Sequence, residues 1–183
     1  MTETATPLLE VQELTRRFGG LLALDRVSFA VQPGEIFGLI GPNGAGKTTL
    51  FNLISGLTPP TAGAVLWRGG AITNLPPHRR NRIGMARTFQ NLRLFDGLSV
   101  LENLLVALQR DGRNSLVAGL LGTAGHQRAE RQRLETAWQL LEELGLTHLA
   151  EREAGTLAYG DRRRLEMARA LATDPSLLLL DEP

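Results

Sequence analysis

Apolar and polar residues alternate along Leu8–Leu14 (LLEVQEL) and again along Val27–Val31 (VSFAV). A period of two predicts half-buried strands. Gln32-Pro33-Gly34 marks a turn. Glu35–Ile40 is mostly apolar and runs into glycine, which predicts a buried strand. The spacing then changes. In Lys47–Gly56, Leu50, Leu53 and Ile54 fall on one face of a helix, with Gly56 placed to end it. Pro59–Gly63 is a loop, Ala64–Trp67 a short strand, Leu75–Arg82 an Arg-rich turn or short helix, and Met85–Gln90 another strand.

Ser99–Gln109 opens with a serine and has Glu102 three residues later, a capping box at the head of a helix. Arg110–Gly125 is Gly-rich and has no period. Gln127–Leu144 carries Leu134, Trp138 and Leu141, flanked by Ala137 and Leu144, the stripe of an amphipathic helix. Gly160–Ala172 predicts a further helix, and Pro175 ends it. Leu177–Leu180 is a wholly apolar strand that closes on Asp181-Glu182-Pro183. Strands, a helix, strands, a helical middle and a last buried strand predict an α/β core with a helical insertion.

Composition narrows the function. Of 183 residues 43% are hydrophobic, enough to bury a core. The 20 Lys+Arg nearly balance 19 Asp+Glu, so the field that nucleic-acid coats and polybasic anchors need is missing. The absence of cysteine excludes disulfides and thiol catalysis. No apolar run nears the roughly 20 residues that span a bilayer, and MTETATPLLE has no signal-peptide pattern, so a soluble cytosolic chain is expected. Nineteen of the basic residues are arginine; the single lysine is Lys47.

That lysine stands in Gly41-Pro42-Asn43-Gly44-Ala45-Gly46-Lys47-Thr48, a match to G-x-x-x-x-G-K-[ST] between a predicted strand and a predicted helix. Glycines let successive backbone N–H groups wrap phosphate oxygens, and the helix N-terminus adds positive potential. Lys47 brings a compact ammonium to the β- and γ-phosphates, and Thr48 offers a hydroxyl to Mg²⁺. Thr49 continues the same turn. At the far end, two carboxylates at an apolar strand tip need cations or hydrogen bonds. Asp181 is placed to bind Mg²⁺ and Glu182 to act as general base on the attacking water.

Leu157-Ala158-Tyr159-Gly160-Asp161, followed by RRRLEMARAL, resembles the LSGGQ signature and following helix of ATP-binding-cassette ATPases. FGGLLALDRVSF, GPNGAGKTTLFNLISGL and GMARTFQNLRLFDGLSVLENLLVA extend the resemblance over the chain and are similar to the branched-chain amino-acid (Liv-type) import ATPases; urea and amide importers are near relatives. The resemblance implies a P-loop NTPase fold with N-terminal antiparallel strands. Residues 1–90 and 173–183 would form a RecA-like core with a β-subdomain, and 91–172 a helical signature subdomain. It implies ATP and Mg²⁺ as cofactors, Phe18 as the adenine-stacking aromatic, and Gln90 as the glutamine that touches Mg²⁺ and water. Tyr159 and Gly160 would contact the nucleotide of a second ATPase subunit, in a homo- or heterodimer. Permease subunits on the inner face of the membrane would be direct partners, and an extracytoplasmic (periplasmic) substrate-binding protein an indirect one.

Two departures shape the expectation. Ala158 has no hydroxyl to offer a γ-phosphate, so backbone N–H groups would carry the signature contact. In the family the chain continues past the Asp-Glu pair to a switch histidine, whereas His78, His126 and His148 all lie upstream of it. The chain is therefore expected to be an incomplete cassette, ending just after the Walker B strand, that binds Mg-ATP. Alone it could act as a non-catalytic nucleotide-binding fragment. DNA-repair cassettes are disfavoured, because only 112 residues separate Lys47 from Tyr159 and no coiled-coil heptads intervene. The arginines at 79, 80 and 82, and those at 162–164, are expected on solvated helix faces; the alternatives are a partner-subunit contact for the first group and a phosphate clamp for the second.

Overall fold

A computed structural model describes residues 6–88, 92–109 and 124–181. The chain divides between Met85 and Ala86 into two compact units.

The first unit is built on an antiparallel sheet in the order β2-β1-β3-β4, from β1 (Leu9–Phe18), β2 (Leu21–Val31), β3 (Ala62–Trp67) and β4 (Gly70–Ala71). Both predicted N-terminal strands are present and run longer than the alternation showed. The pattern in β1 slips by one. Leu9 and Val11 are buried, position 13 is a glutamate facing out, and Leu14 is buried instead. A bulge produces the slip. Glu13 has φ 45°, and the pairing register shifts between Val11 and Leu14. Gly63 on β3 meets the bulge at φ 86°, where a Cβ would lie 2.4 Å from the Glu13 carbonyl oxygen and 2.5 Å from that of Gln12. Gly63→Ala therefore combines a left-handed conformation with backbone overlap. It is expected to cost about 3 kcal/mol, read as a lower denaturant midpoint.

Helix α1 (Lys47–Ile54) buries Leu50, Leu53 and Ile54, the face expected from spacing, and Gly56 follows at φ 77°. The predicted strand at Glu35–Ile40 is not one. Among the described residues no segment hydrogen-bonds to it as a ladder, and apolar content without a partner strand does not make a strand. Ile36 and Ile40 are 100% and 95% exposed, and Phe37 packs by stacking on Phe29 with centroids 4.9 Å apart.

Helix α2 (Pro77–Arg82) corrects the expectation for Arg80. This side chain is 1% exposed, although its neighbours Arg79 and Arg82 are on the surface. Its Nη1 donates to the Leu53 and Ile54 carbonyls at 2.8 and 2.6 Å, Nη2 to Thr73 at 2.7 Å, and Nε to Leu75 at 2.9 Å. Burial holds its pKa below the usual arginine value.

In the second unit, β5, which begins at Met85 and runs to Arg87, pairs with β6 (Leu177–Leu179). Three helices share one core: α3 (Val100–Leu108), α4 (Ala124–Glu143) and α5 (Tyr159–Leu171). Val100 and Leu104, Ala137 and Leu141, and Leu165 and Ala168 are the helices' fully buried contributions, and Leu146 and Ala154 join them from the connecting segments. On α4 the buried line runs through Ala137 and Leu141, where α3 and α5 pack, and it leaves the expected Leu134 and Trp138 at its exposed edge. The capping box is formed: the Glu102 N–H donates to Ser99 Oγ at 3.1 Å and the Ser99 N–H to Glu102 Oε2 at 2.7 Å. The wholly buried Asn103 fixes the preceding loop, accepting from the Phe95 N–H at 3.0 Å and donating to Phe95, Leu98 and Ser99 carbonyls.

Candidate functional site

The phosphate-loop residues lie in the first unit. Gly44 and Gly46 take φ 83° and 87°, conformations that turn backbone N–H groups toward one side. At Gly46 there is a second reason for glycine, since a Cβ would sit 2.7 Å from the Ala23 carbonyl oxygen on β2. The Ala45 N–H bonds to Pro42, and the Leu50 N–H to Gly46 starts the helix ladder. Gly41 and Gly46 are half-buried, whereas Pro42, Asn43, Gly44 and Ala45 are exposed and open to a ligand. Lys47 Nζ donates to the Gly41 carbonyl at 2.6 Å and to Pro42 at 3.0 Å, so the ammonium sits inside the loop's own ring. Thr48 is exposed on the first turn of α1, and Thr49 half-buried beside it. These features make an anion cradle: a helix N-terminus, left-handed glycines and one ammonium.

Phe18 ends β1 at the hairpin. The residue is 47% exposed, and the Arg16 guanidinium lies over its ring, 4.4 Å from the centroid. Arg16 covers one face of the ring, so stacking on a planar base would use the opposite face.

In the second unit, Asp181 follows β6 and is buried. Its Oδ2 accepts from Arg87 Nη2 at 3.0 Å, both side chains being 6% exposed, and its backbone N–H reaches Thr88 Oγ1 at 3.3 Å. Sequence reasoning missed Arg87. The available signal was an arginine in an apolar strand and an aspartate at the tip of another. Each leaves a buried charge that needs a partner. Arg87→Met strands the carboxylate and is expected to destabilise by about 3–5 kcal/mol. Arg87→Met with Asp181→Leu should recover most of that loss in the same unfolding titration. Gln90 and Glu182 lie outside the described residues.

Tyr159 and Gly160 open α5, with Ala158 as its N-cap and no side-chain cap. Tyr159 is 64% exposed and held by Arg163, whose Nε donates to its hydroxyl at 3.1 Å. A Cβ at Gly160 would meet nothing within 4 Å, so this chain's own packing does not require glycine there. The arginines after it are not a free solvated face. Arg162 pairs with Asp96 at 2.7 Å, Arg163 with Glu166 at 3.7 Å, and Arg164 with Asp161. Acidic neighbours one turn away on the same helix, and Asp96 from another loop, meet their charges. A phosphate clamp would have to break these pairs.

Among the described residues no group of three His, Asp or Glu side chains could hold a metal, and no helix is long and apolar enough to cross a membrane.

Comparison with known proteins agrees with the motifs. The ABC transporter family matches residues 24–183. The high-affinity branched-chain amino acid transport ATP-binding protein BraF of Pseudomonas aeruginosa is 50% identical over 177 residues, covering 97% of this chain and 69% of BraF. LivG of Escherichia coli K12, with the same description, is 49% identical with the same coverage. A solved nucleotide-free ATP-binding cassette from an ABC transporter superposes with a TM-score of 0.79 at 36% identity, covering 97% of this chain and 69% of that one. With an ABC transporter match over most of its length and relatives at half identity, the chain belongs to the ABC transporter ATP-binding family, whose members are P-loop ATPases coupled to transport.

Proposed function

We propose that the chain is the ATPase subunit of an importer for branched-chain amino acids, peripheral to the inner face of the cell membrane through its permease subunits. The observation that carries this reading is the 49–50% identity to LivG and BraF along 97% of the chain. The reaction is ATP + H₂O to ADP + phosphate. Gly41, Pro42, Asn43, Gly44, Ala45, Gly46 and Lys47 hold the phosphates, and Phe18 stacks on the adenine. The donors Thr48, Gln90 and Asp181 are hard oxygens, the set that suits Mg²⁺. When bound, the metal neutralises charge on the phosphate oxygens. Arg87 holds Asp181 through its Oδ2 and so fixes the carboxylate in place. Glu182 takes the proton of the attacking water. A second ATPase subunit presents its own Tyr159–Gly160 turn to this nucleotide. The amino acid itself is selected by the extracytoplasmic binding protein and the permease.

The test is reconstitution with the neighbouring permease and binding-protein gene products in vesicles. Leucine or valine should stimulate hydrolysis several-fold. Stimulation by urea or a short amide instead would move the substrate class. ATP binding with no turnover in any assembly would make the chain a non-catalytic subunit.

A further inference from the structure

Arg80 occupies a seat that a helix-surface arginine has no need of. Four of its N–H groups reach four main-chain carbonyls within 2.9 Å, two from the last turn of α1 and two from the turn at Thr73–Leu75. The glycine at 56 belongs to that seat. A Cβ there would lie 2.7 Å from Arg80 Nε and 2.8 Å from the Leu75 carbonyl oxygen. The carbonyls of a last helical turn have no intrahelical donor, and that end carries about half a negative charge. Arg80 meets both needs at once, with a planar fork that a hydrocarbon side chain lacks.

The other end of this helix is the phosphate loop. With 8 residues, α1 is about 12 Å long and too short to be stable alone, so its axis is set by what grips it. Its apolar face fixes it sideways; Arg80 fixes its C-terminal end. We propose that Arg80 is a positioning residue for ATP, holding α1 so that its first-turn N–H groups, Lys47 and Thr48 meet the phosphates in register. The proposal rests on Gly41–Thr48 being the phosphate site.

The test compares ATP affinity with stability, using a fluorescent ATP analogue on the full chain at a temperature well below each variant's unfolding. Arg80→Met is expected to weaken ATP binding about tenfold or more, since small misplacements of a binding group carry large penalties. Arg80→Lys keeps the charge and loses the fork, and should fall between Arg80→Met and the parent. If Arg80→Met does not fold, Arg80→Lys carries the test. Millimolar guanidinium should restore affinity to Arg80→Gly. Val65→Ala, at a fully buried β3 position, serves as the purely structural control. It should lower the melting temperature and leave ATP affinity within about twofold, as a destabilised but correctly folded site does. If the Arg80 variants lose melting temperature but bind ATP as Val65→Ala does, Arg80 is a structural residue only. Lys47→Ala in the same assay separates the two ideas: if it binds like the parent, the phosphate-site reading itself fails.

Discussion

Glu182→Gln in the assembled transporter is expected to retain ATP and to turn it over about 10²–10⁴ times more slowly. The substitution preserves shape and removes the one property the step needs, an oxygen basic enough to take a proton from water. Its neighbour cannot substitute. Asp181 is buried, and one of its oxygens is committed to Arg87 at 3.0 Å, so its charge is already balanced by an ion pair. On the proposed reading the two adjacent carboxylates divide the work, Asp181 as a metal ligand and Glu182 as the base. The measurement is single-turnover hydrolysis beside equilibrium ATP binding. Unchanged turnover would remove Glu182 from the reaction, and lost binding would make it a ligand rather than a base.

Local signals were legible where one residue's chemistry acts on its own neighbours. Ser99 and Glu102 form the reciprocal cap that their spacing required. Gly56 ends α1 where the apolar stripe ends, and Leu50, Leu53 and Ile54 share its buried face. Signals failed where the outcome depends on a distant partner. Glu35–Ile40 has strand composition, but pairing is a property of two segments, and only one of them is visible in its own sequence. In β1 the alternation breaks at a bulge at Glu13, which lies against Gly63 on β3, and a period of two holds no sign of it.

The candidate site divides the same way. The phosphate loop is one contiguous segment, so its glycines, lysine and threonine could be read together. The basic residues could not. Arg80 and Arg79 are adjacent and chemically identical, yet only Arg80 lies over the end of α1, 26 residues away in sequence at Ile54. Arg87 meets Asp181 from 94 residues away. Each is a long-range pairing of a charge with dipoles or an opposite charge, and a single sequence holds no record of which of nineteen arginines makes it.

Lys47→Ala is expected to weaken ATP binding about 10³-fold. An ammonium about 4 Å from a phosphate charge contributes about 4 kcal/mol at an effective dielectric of about 20, and alanine supplies no replacement. The loop itself loses less than this. Lys47 Nζ bonds the Gly41 and Pro42 carbonyls at 2.6 and 3.0 Å, but Pro42 is exposed and Gly41 only half-buried, so water can take over. The melting temperature without nucleotide should therefore change little, while the rise produced by saturating ATP disappears. Lys47→Arg sharpens the point. It preserves the charge, so any deficit reports shape. Two carbonyls within 3.0 Å of a single nitrogen define a seat for one compact donor, and a guanidinium presents a broad planar fork to it. Lys47→Arg should accordingly lose most of the nucleotide-induced stabilisation as well. If arginine restores full affinity, charge alone governs this position, and the single lysine among twenty basic residues has no steric cause.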